Sequence, residues 1–395
     1  MKMKVYLDNA ATTKLDEQVL KAMMPYLTDI YGNASSMHSF GREAGKAVDE
    51  SRAKVASILN CKPSEIYFTS GGTESDNWAI KGAALAQSKR GRHIITSKIE
   101  HPAMLATCEE LSKKGYEISY LDVDENGIVS LEQLKKTIRN DTILISVMFA
   151  NNEIGSVQPI AEIGKIAHEH GVIFHTDAVQ AASSIRIDVN EMNIDMLSMS
   201  AHKFHGPKGV GLLYVRSGIR IGKLIVGGHQ ERGNRAGTTN TAGIVGLAAA
   251  LEKTVREMDE NNKKIKRLRD YLIDRVLTEI PHSKLNGGRE NRLVNNANFS
   301  FDFVEGESIL MQLDLKGIAV SSGSACSSGS LEPSHVVLAI GRPIEEAHSS
   351  IRFSLGPDNT KEEIDYTVEA LKETIERLRS WSPLFNAEKG EGEYV

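Results

Sequence analysis

Short apolar runs rich in β-branched residues alternate with apolar stripes at helical spacing between about residues 15 and 250. The runs predict seven strands, at 65–69, 93–97, 117–121, 142–148, 172–176, 196–200 and 210–215. Helical stripes, such as the one at 160–170, fall between several of these strands. Repeated alternation of strands and helices predicts an α/β fold with a mainly parallel seven-stranded sheet covered on both faces.

A longer helical stripe spans about 247–278 and predicts a helix that leads into a second domain. Further along the chain, Thr360 and Glu363 have the spacing of a capping box, which marks the start of a helix. Apolar residues then recur at helical spacing, namely Ile364, Val368, Leu371, Ile375 and Leu378. The second domain is therefore expected to end in a helix.

These patterns predict two domains and a tail. We expect a large domain over 15–250 and a smaller α+β domain formed by 1–14 and 251–385. The last residues, 386–395, are polar and rich in Gly and Glu, which predicts a flexible tail.

Composition excludes several classes of partner. Of the 395 residues, 41% are hydrophobic and 25% charged, as in a soluble globular protein. The net charge of -5 gives no basic field to gather nucleic acid or anionic lipid, and no run approaches the length of a membrane span. The three cysteines (61, 108 and 326) show no close pairing, which predicts a reducing, cytoplasmic location without disulfides or a paired-cysteine zinc site.

The first polar cluster is 70–77 (SGGTESDN), between a predicted strand and a predicted helix. Glycines allow close approach of the backbone to a phosphate, and the free N–H groups of a helix start favour an anion. An ordinary strand-to-helix turn explains this cluster equally well when it is taken alone.

The second cluster is 174–180 (FHTDAVQ), at the end of another predicted strand. An acid in the position of Asp177 can keep a pyridine nitrogen protonated, as an electron-accepting cofactor such as pyridoxal phosphate requires. An Asp that caps the following helix is an equally good interpretation of this cluster in isolation.

The third cluster is 198–209 (SMSAHKFHGPKG), which also follows a predicted strand. Lys203, flanked by small residues, is the candidate for a Schiff-base lysine, whereas Lys208 follows a proline in a turn and is expected to be solvated. His202 and His205 lack the His-Glu-x-x-His pattern and a nearby cysteine, so we predict no metal site here.

The fourth cluster is 321–330 (SSGSACSSGS), in which Cys326 lies within a Ser/Gly run. Such a run predicts a mobile, exposed loop, whereas a structural cysteine is normally embedded in apolar sequence. A thiolate is a strong soft nucleophile suited to attack on another sulfur. The alternative, a linker with an incidental cysteine, gains nothing from an oxidisable thiol.

Two single residues complete the candidate chemistry. His101, in 100–102 (EHP), could stand over a cofactor ring as an acid or base, although a structural histidine is the commoner outcome. Arg352, in 350–354 (SIRFS), could clamp a substrate carboxylate, with a surface ion pair as the alternative.

These clusters, in this order, resemble the NifS/IscS-type cysteine desulfurases of the class V aminotransferase family, which have the PLP-dependent transferase type I fold. The resemblance extends over nearly the whole chain, through 6–13 (YLDNAATT) and 31–38 (YGNASSMH) to 382–384 (SPL). Residues 227–233 (GGHQERG) and 330–336 (SLEPSHV) are more similar to the nitrogen-fixation NifS branch, and the tail after 383 differs from that of IscS-type proteins.

The resemblance implies a role for each site residue. Lys203 would carry pyridoxal phosphate, Asp177 would pair with the pyridine nitrogen, and Gln180 would bond the phenolic oxygen. His101 would stack on the ring and act in catalysis, and Asn152 would lie beside cofactor and substrate. The phosphate would be held by Gly72, Thr73, Ser200 and His202, joined by Thr238 from the neighbouring subunit.

The resemblance also implies the reaction and the partners. L-Cysteine, held through its carboxylate by Arg352, would become L-alanine while Cys326 accepts the sulfur as a persulfide. The protein would be a homodimer and would pass sulfur to an iron–sulfur scaffold protein of the NifU/IscU type. The sequence leaves open whether the role is general or specific to nitrogenase. It also leaves open whether Cys326 transiently ligates an iron–sulfur cluster.

Three other functions remain as alternatives. A selenocysteine lyase has the same fold, and an aminotransferase would need a 2-oxo acid acceptor but no cysteine on a loop. A non-catalytic sulfur carrier or scaffold-binding protein would need neither Lys203, Asp177 nor His101.

Overall fold

The structure is a computed structural model that describes residues 3–322, 332–383, 385–386 and 391–392. The predicted sulfur acceptor Cys326 lies outside the described residues, as does most of the predicted tail. The predicted domain boundaries stay predictions.

The described strands, in chain order, are β1 (Val5–Tyr6), β2 (Ile66–Thr69), β3 (His93–Ser97), β4 (Glu117–Leu121), β5 (Thr142–Ser146), β6 (Ile173–Asp177), β7 (Met196–Ser200), β8 (Gly211–Val215), β9 (Ser283–Leu285), β10 (Asn296–Phe301), β11 (Ile318–Ala319), β12 (Ser321–Ser322), β13 (Ser350–Ser354), β14 (Phe385–Asn386) and β15 (Glu391–Gly392). The described helices are α1 (Glu17–Met23), α2 (Pro25–Thr28), α3 (Ser39–Ile58), α4 (Gly72–Gln87), α5 (Pro102–Ser112), α6 (Leu131–Thr137), α7 (Ile160–Glu169), α8 (Thr241–Glu279), α9 (Gly306–Leu315), α10 (His335–Ala339), α11 (Ile344–His348) and α12 (Lys361–Trp381).

The large sheet has seven strands in the order β2-β8-β7-β6-β5-β3-β4. All neighbours pair in parallel except β8, which runs antiparallel to β2 and β7. This confirms the predicted α/β fold with a mainly parallel sheet. Among the described helices, none combines the length and the apolar composition needed to cross a membrane.

Successive strand residues enter different cores, as the pleat of a sheet requires. In β7, Met196 packs in a cluster with Trp78 of α4, whereas Leu197 packs in a cluster with Val55 of α3. The sheet is therefore covered by helices on both faces, and the carboxyl ends of its strands remain available for a ligand site.

The smaller sheet is antiparallel, in the order β12-β13-β10-β9. The amino-terminal strand β1 pairs in parallel with β11, and the Ser354 N–H donates to the carbonyl of Leu7 at 2.7 Å. The amino-terminal segment thus belongs to this second core.

Helix α8 connects the two cores. Leu247 and Leu251 pack in the core of the large sheet, whereas Leu272 and Val276 pack in that of the small sheet. The helix begins six residues before the predicted start, because the Asn240 side chain caps it by accepting from the backbone N–H of Gly243 at 3.0 Å.

The carboxyl-terminal helix α12 begins as predicted. Thr360 Oγ1 accepts from the Glu363 N–H at 3.3 Å, and the Glu363 carboxylate accepts from the Thr360 N–H at 3.1 Å. Ile364, Val368 and Leu371 are buried on its inner face.

Candidate active site

A cavity of about 270 Å³ lies beyond the carboxyl ends of β6 and β7, and Arg352 of the small sheet also lines it. It brings together ten predicted site residues: Gly72, Thr73, His101, Asn152, Asp177, Gln180, Ser200, His202, Lys203 and Arg352. These come from segments that are far apart in the chain, and ends of parallel strands are where such sheets bind ligands. We therefore take this cavity as the candidate active site.

One end of the cavity is built for an anion. Gly72 and Thr73 form the first turn of α4, whose leading N–H groups have no intrahelical acceptor. A Cβ at Gly72 would lie 2.7 Å from Cγ2 of Val179, so only glycine brings the helix start this close to the segment after β6. Ser200 ends β7 on the same side of the cavity.

His202 and Glu74 are held in place by neighbours at this end. Nδ1 of His202 lies 3.1 Å from the hydroxyl of Thr12, and burial lowers the pKa of His202 to about 4. The carboxylate of Glu74 instead accepts from Nε of Arg235 at 2.8 Å. Because that ion pair neutralises the acid in the first turn, the helix start remains favourable for a phosphate.

Lys203 follows β7 in a short 3₁₀ turn, Ala201–Lys203. Its Nζ donates to the carbonyl oxygens of Ala10 at 2.5 Å and Ala11 at 2.8 Å. Gln180 also donates to the Ala10 carbonyl, from Nε2 at 3.0 Å. The amino-terminal segment therefore fixes the amine at the edge of the cavity.

Asp177 ends β6 and is buried, with one carboxylate oxygen accepting from the Val179 N–H at 2.9 Å. Asp76 of α4, which we did not predict, lines the same cavity, and its Oδ1 is buried without a hydrogen-bond partner among the described residues. Burial raises the pKa of both carboxyls, and the proximity of Asp177 raises that of Asp76 further. A cationic ring nitrogen is the kind of group that would keep Asp177 ionised here.

His101 is the N-cap of α5, and its Nδ1 accepts from the Ala103 N–H at 3.1 Å. Burial, with the positive charge of Lys203, lowers the pKa of His101 to about 4. At neutral pH the ring is therefore uncharged, and with Nδ1 as acceptor its proton is on Nε2.

Arg352 is almost completely buried in β13. Its Nη1 donates to the Asn152 carbonyl at 2.9 Å and its Nη2 to the Asp8 carboxylate at 3.0 Å, while Nε is buried without a partner among the described residues. Arg352 does form an ion pair, as the predicted alternative has it, but its guanidinium is buried and not on the surface. It lies at the cavity, where it can offer a donor to a carboxylate.

Thr238 does not line this cavity but is exposed, in the loop that carries Arg235. Cys326 lies outside the described residues. Within the described part of the chain, no group of three or more His, Cys, Asp or Glu side chains could hold a metal ion.

The sequence contained a signal for Asp76 that we did not use. It lies three and four residues after Thr73 and Gly72, so a helix starting at Gly72 places all three on one face. Asp8 had no comparable signal, because its contact with Arg352 joins positions 344 residues apart.

Comparison with known proteins places these features in a family. Residues 5–367 match the family model described as aminotransferase class-V. A protein named cysteine desulfurase IscS, from Dictyoglomus turgidum, is 56% identical over 383 residues, which cover 97% of each chain.

Two solved structures are similar along almost the entire fold. A NifS-like protein superposes with a TM-score of 0.89 at 41% identity, covering 94% of this chain and 99% of its own. The structure of SspA in complex with cysteine gives a TM-score of 0.80 at 38% identity, covering 90% of this chain and 100% of its own.

Proposed function

Because the chain belongs to the class-V aminotransferase family, we propose that it is a cysteine desulfurase, which converts L-cysteine to L-alanine and holds the sulfur as a persulfide on Cys326. The observation that carries this proposal is the convergence of Lys203, Asp177 and Arg352 on one cavity. An amine, a buried acid and a buried guanidinium are the groups needed to attach a cofactor, hold its ring nitrogen and bind an amino acid carboxylate.

Pyridoxal phosphate is the cofactor whose chemistry fits these residues. The start of α4 suits its phosphate, and Gly72 holds that site directly against Val179, two residues after Asp177. Gly72, Thr73, Ser200 and His202 would hold the phosphate, and Asp177 the pyridine nitrogen. Gln180 would bond the phenolic oxygen and His101 would stack on the ring. When bound, the cofactor supplies a ring that takes up negative charge from the substrate α-carbon.

The chain's own side chains would position the substrate and move its protons. Arg352 would bind the carboxylate of L-cysteine, with Asn152 beside it. Lys203 would carry the cofactor and take the α-proton through Nζ. The resting ring of His101 is uncharged, so it would serve as a proton donor only after it has first taken up a proton during the reaction.

Transfer of sulfur balances without an external oxidant or reductant. The Cys326 thiolate attacks the sulfur of L-cysteine, the S–S bond forms and the Cβ–S bond breaks. The electron pair of that bond stays on the carbon, and the hydrogens of L-cysteine are all recovered in L-alanine. The products are L-alanine and a deprotonated persulfide.

A second copy of this chain would complete the site. Large apolar side chains are exposed near the start of α3 and in the loop before Arg235, with Tyr31 at 72%, Met37 at 89% and Val226 at 85% exposure. Exposed apolar patches indicate an interaction surface, and the homodimer would cover them while bringing Thr238 to the neighbouring subunit's phosphate.

The physiological acceptor and location follow from the same proposal. Iron–sulfur cluster assembly consumes persulfide sulfur, so a scaffold protein of the NifU/IscU type would receive it. We expect a cytoplasmic location, because Cys61 and Cys108 are unpaired thiols.

The activity is tested by incubating the cofactor-loaded protein with L-cysteine and measuring alanine. We expect alanine without any added 2-oxo acid. Alanine that appears only with a 2-oxo acid would indicate an aminotransferase. A large preference for L-selenocysteine would indicate a selenocysteine lyase, and failure to bind the cofactor would overturn the proposal.

A further inference from the structure

The structure describes both ends of the segment that carries Cys326, and both are attached close to Arg352. Ser321 of β12 is the cross-strand partner of Arg352 in β13. At the other end, Ser334 is the N-cap of α10 and is almost completely buried.

Ser334 makes two bonds that fix the start of α10. Its Oγ accepts from the Val337 N–H at 3.1 Å and donates to Oε2 of Glu153 at 2.5 Å. The first bond is an ordinary cap, but the second joins residues 181 positions apart in the chain. This second contact attaches the start of α10 to a distant part of the chain.

Glu153 is in turn fixed to the substrate side of the cavity. It directly follows Asn152, whose carbonyl accepts from Arg352. Its own carbonyl accepts from Nδ2 of Asn296 at 3.0 Å and of Asn298 at 3.2 Å, and Asn298 is the other cross-strand partner of Arg352. The backbone of Glu153 is therefore held by two side chains of β10 in the small sheet.

Further contacts hold α10 against the cavity wall. Nε2 of His335 donates to the carbonyl of Glu100, the residue before His101, at 3.0 Å. Val336 and Val337 pack in one buried cluster with Ile99 and Met148. This cluster supports α10, so loss of the Glu153 bond alone would displace it without unfolding it.

We propose that Glu153 and Ser334 are positioning residues, which fix the carboxyl-terminal end of the Cys326 segment to the residues that bind the substrate carboxylate. The inference rests on the proposed function and deepens it. Because Arg352 contacts Asn152 directly and pairs with Ser321, both ends of the segment take their position from the residue that holds L-cysteine. Glu153 and Ser334 would thus act on sulfur transfer and not on cofactor or substrate binding.

The test compares Glu153→Ala and Ser334→Ala in the cofactor-loaded protein. Glu153→Ala removes the long-range bond but keeps the helix cap, so an effect common to both variants reports the long-range bond. Ser334→Thr keeps the hydroxyl and should restore the wild-type rate. Ser349→Ala is the matched control, because Ser349 is a buried serine that bonds within the small domain.

Two steps are measured in a single turnover with L-cysteine. Substrate binding is followed through the absorption of the bound cofactor, and persulfide on Cys326 is followed by rapid quenching and intact mass. We expect persulfide formation to slow by roughly tenfold or more in both alanine variants, since a misplacement of about 1 Å can cost up to about 10²-fold. Substrate binding should stay within about twofold of wild type, as should both steps in Ser349→Ala.

Equal slowing of both steps, or wild-type persulfide rates in Glu153→Ala, would overturn the inference. If the wild-type protein itself forms no persulfide on Cys326, the proposed function fails instead. Hydrogen exchange then still tests the attachment, because amides of 335–340 should exchange faster in Glu153→Ala than in wild type. Unchanged exchange of these amides would contradict the proposed attachment of α10 through Glu153.

Discussion

Arg352 and Asp8 form an ion pair, with Nη2 of the guanidinium 3.0 Å from Oδ1 of the carboxylate. The pair joins the small sheet to the amino-terminal segment, two residues before the Ala10 carbonyl that accepts from Lys203. The groups proposed to bind the cofactor and the substrate carboxylate are therefore connected through a few residues of this segment.

Removal of Asp8 should destabilise the protein. In Asp8→Ala, the almost completely buried Arg352 loses its counter-charge, which we expect to lower the free energy of unfolding by about 2 kcal/mol, between the values for exposed and buried pairs. Asp8→Asn keeps an oxygen acceptor, so its free energy of unfolding should fall by about half as much. Urea denaturation measures both, and equal stability of Asp8→Ala and wild type would contradict the role of the pair.

Arg352→Lys should weaken binding of L-cysteine far more than it slows turnover. Lysine cannot reproduce the planar donors that contact Asn152 and Asp8 and still offer one to the substrate. We expect KM to rise roughly 10- to 100-fold, because a hydrogen bond to a charged group contributes about 1.5–3 kcal/mol. Steady-state alanine release measures KM and kcat. A fall in kcat with unchanged KM would show that Arg352 does not bind the substrate.

Gly72→Ala should weaken binding of pyridoxal phosphate. The new Cβ would lie 2.7 Å from Cγ2 of Val179, and the start of α4 would have to move away from Asp177. Overpacking of this kind costs about 1–3 kcal/mol, so the dissociation constant should rise about tenfold or more. Val179→Ala removes the obstructing methyl groups, and the double variant should recover most of the affinity. A double variant as weak as Gly72→Ala would place the cause elsewhere.

Glu100 should make the protein less stable as pH rises. Burial raises its pKa from 4.5 to about 8, although one carboxylate oxygen accepts from Ser97 and from the Met148 N–H. The other oxygen has no hydrogen-bond partner among the described residues. The folded state therefore retains a proton that the unfolded state has lost, and its contribution to stability declines between about pH 4.5 and pH 8. Urea denaturation across this range should give a flatter profile for Glu100→Gln than for wild type. If the stability of both proteins changed with pH in the same way, the raised pKa of Glu100 would be contradicted.

Much of the fold could be predicted because each strand carries its own local signal. The ends of the predicted large-sheet strands agree with the structure to within one or two residues. The largest difference is in β5, which ends at Ser146 although the apolar run in the sequence continues to Ala150. Beyond the strand, the Phe149 N–H bonds the Asp177 carbonyl, which is a contact between neighbouring strand ends that no local pattern reveals.

The candidate site likewise contains residues that local sequence patterns predict and contacts that they do not. Gly72, Asp177 and Lys203 each follow a strand in a short polar cluster, so their positions at one edge of the sheet could be predicted from the sequence. The ion pair of Asp8 with Arg352 and the bond of Ser334 with Glu153 could not, because each joins residues that are far apart in the chain. The direction of β8, antiparallel to both neighbours, likewise depends on the whole sheet.

The most direct test of the account is the mass of the cofactor-loaded protein after a single turnover with L-cysteine, compared between wild type and Cys326→Ser. Burial raises the pKa of Cys61 and of Cys108 to about 12, so both remain unreactive thiols and serve as internal controls. We predict one added sulfur atom on Cys326 in wild type and none in Cys326→Ser, which should still bind the cofactor. An added sulfur atom in Cys326→Ser would contradict the account.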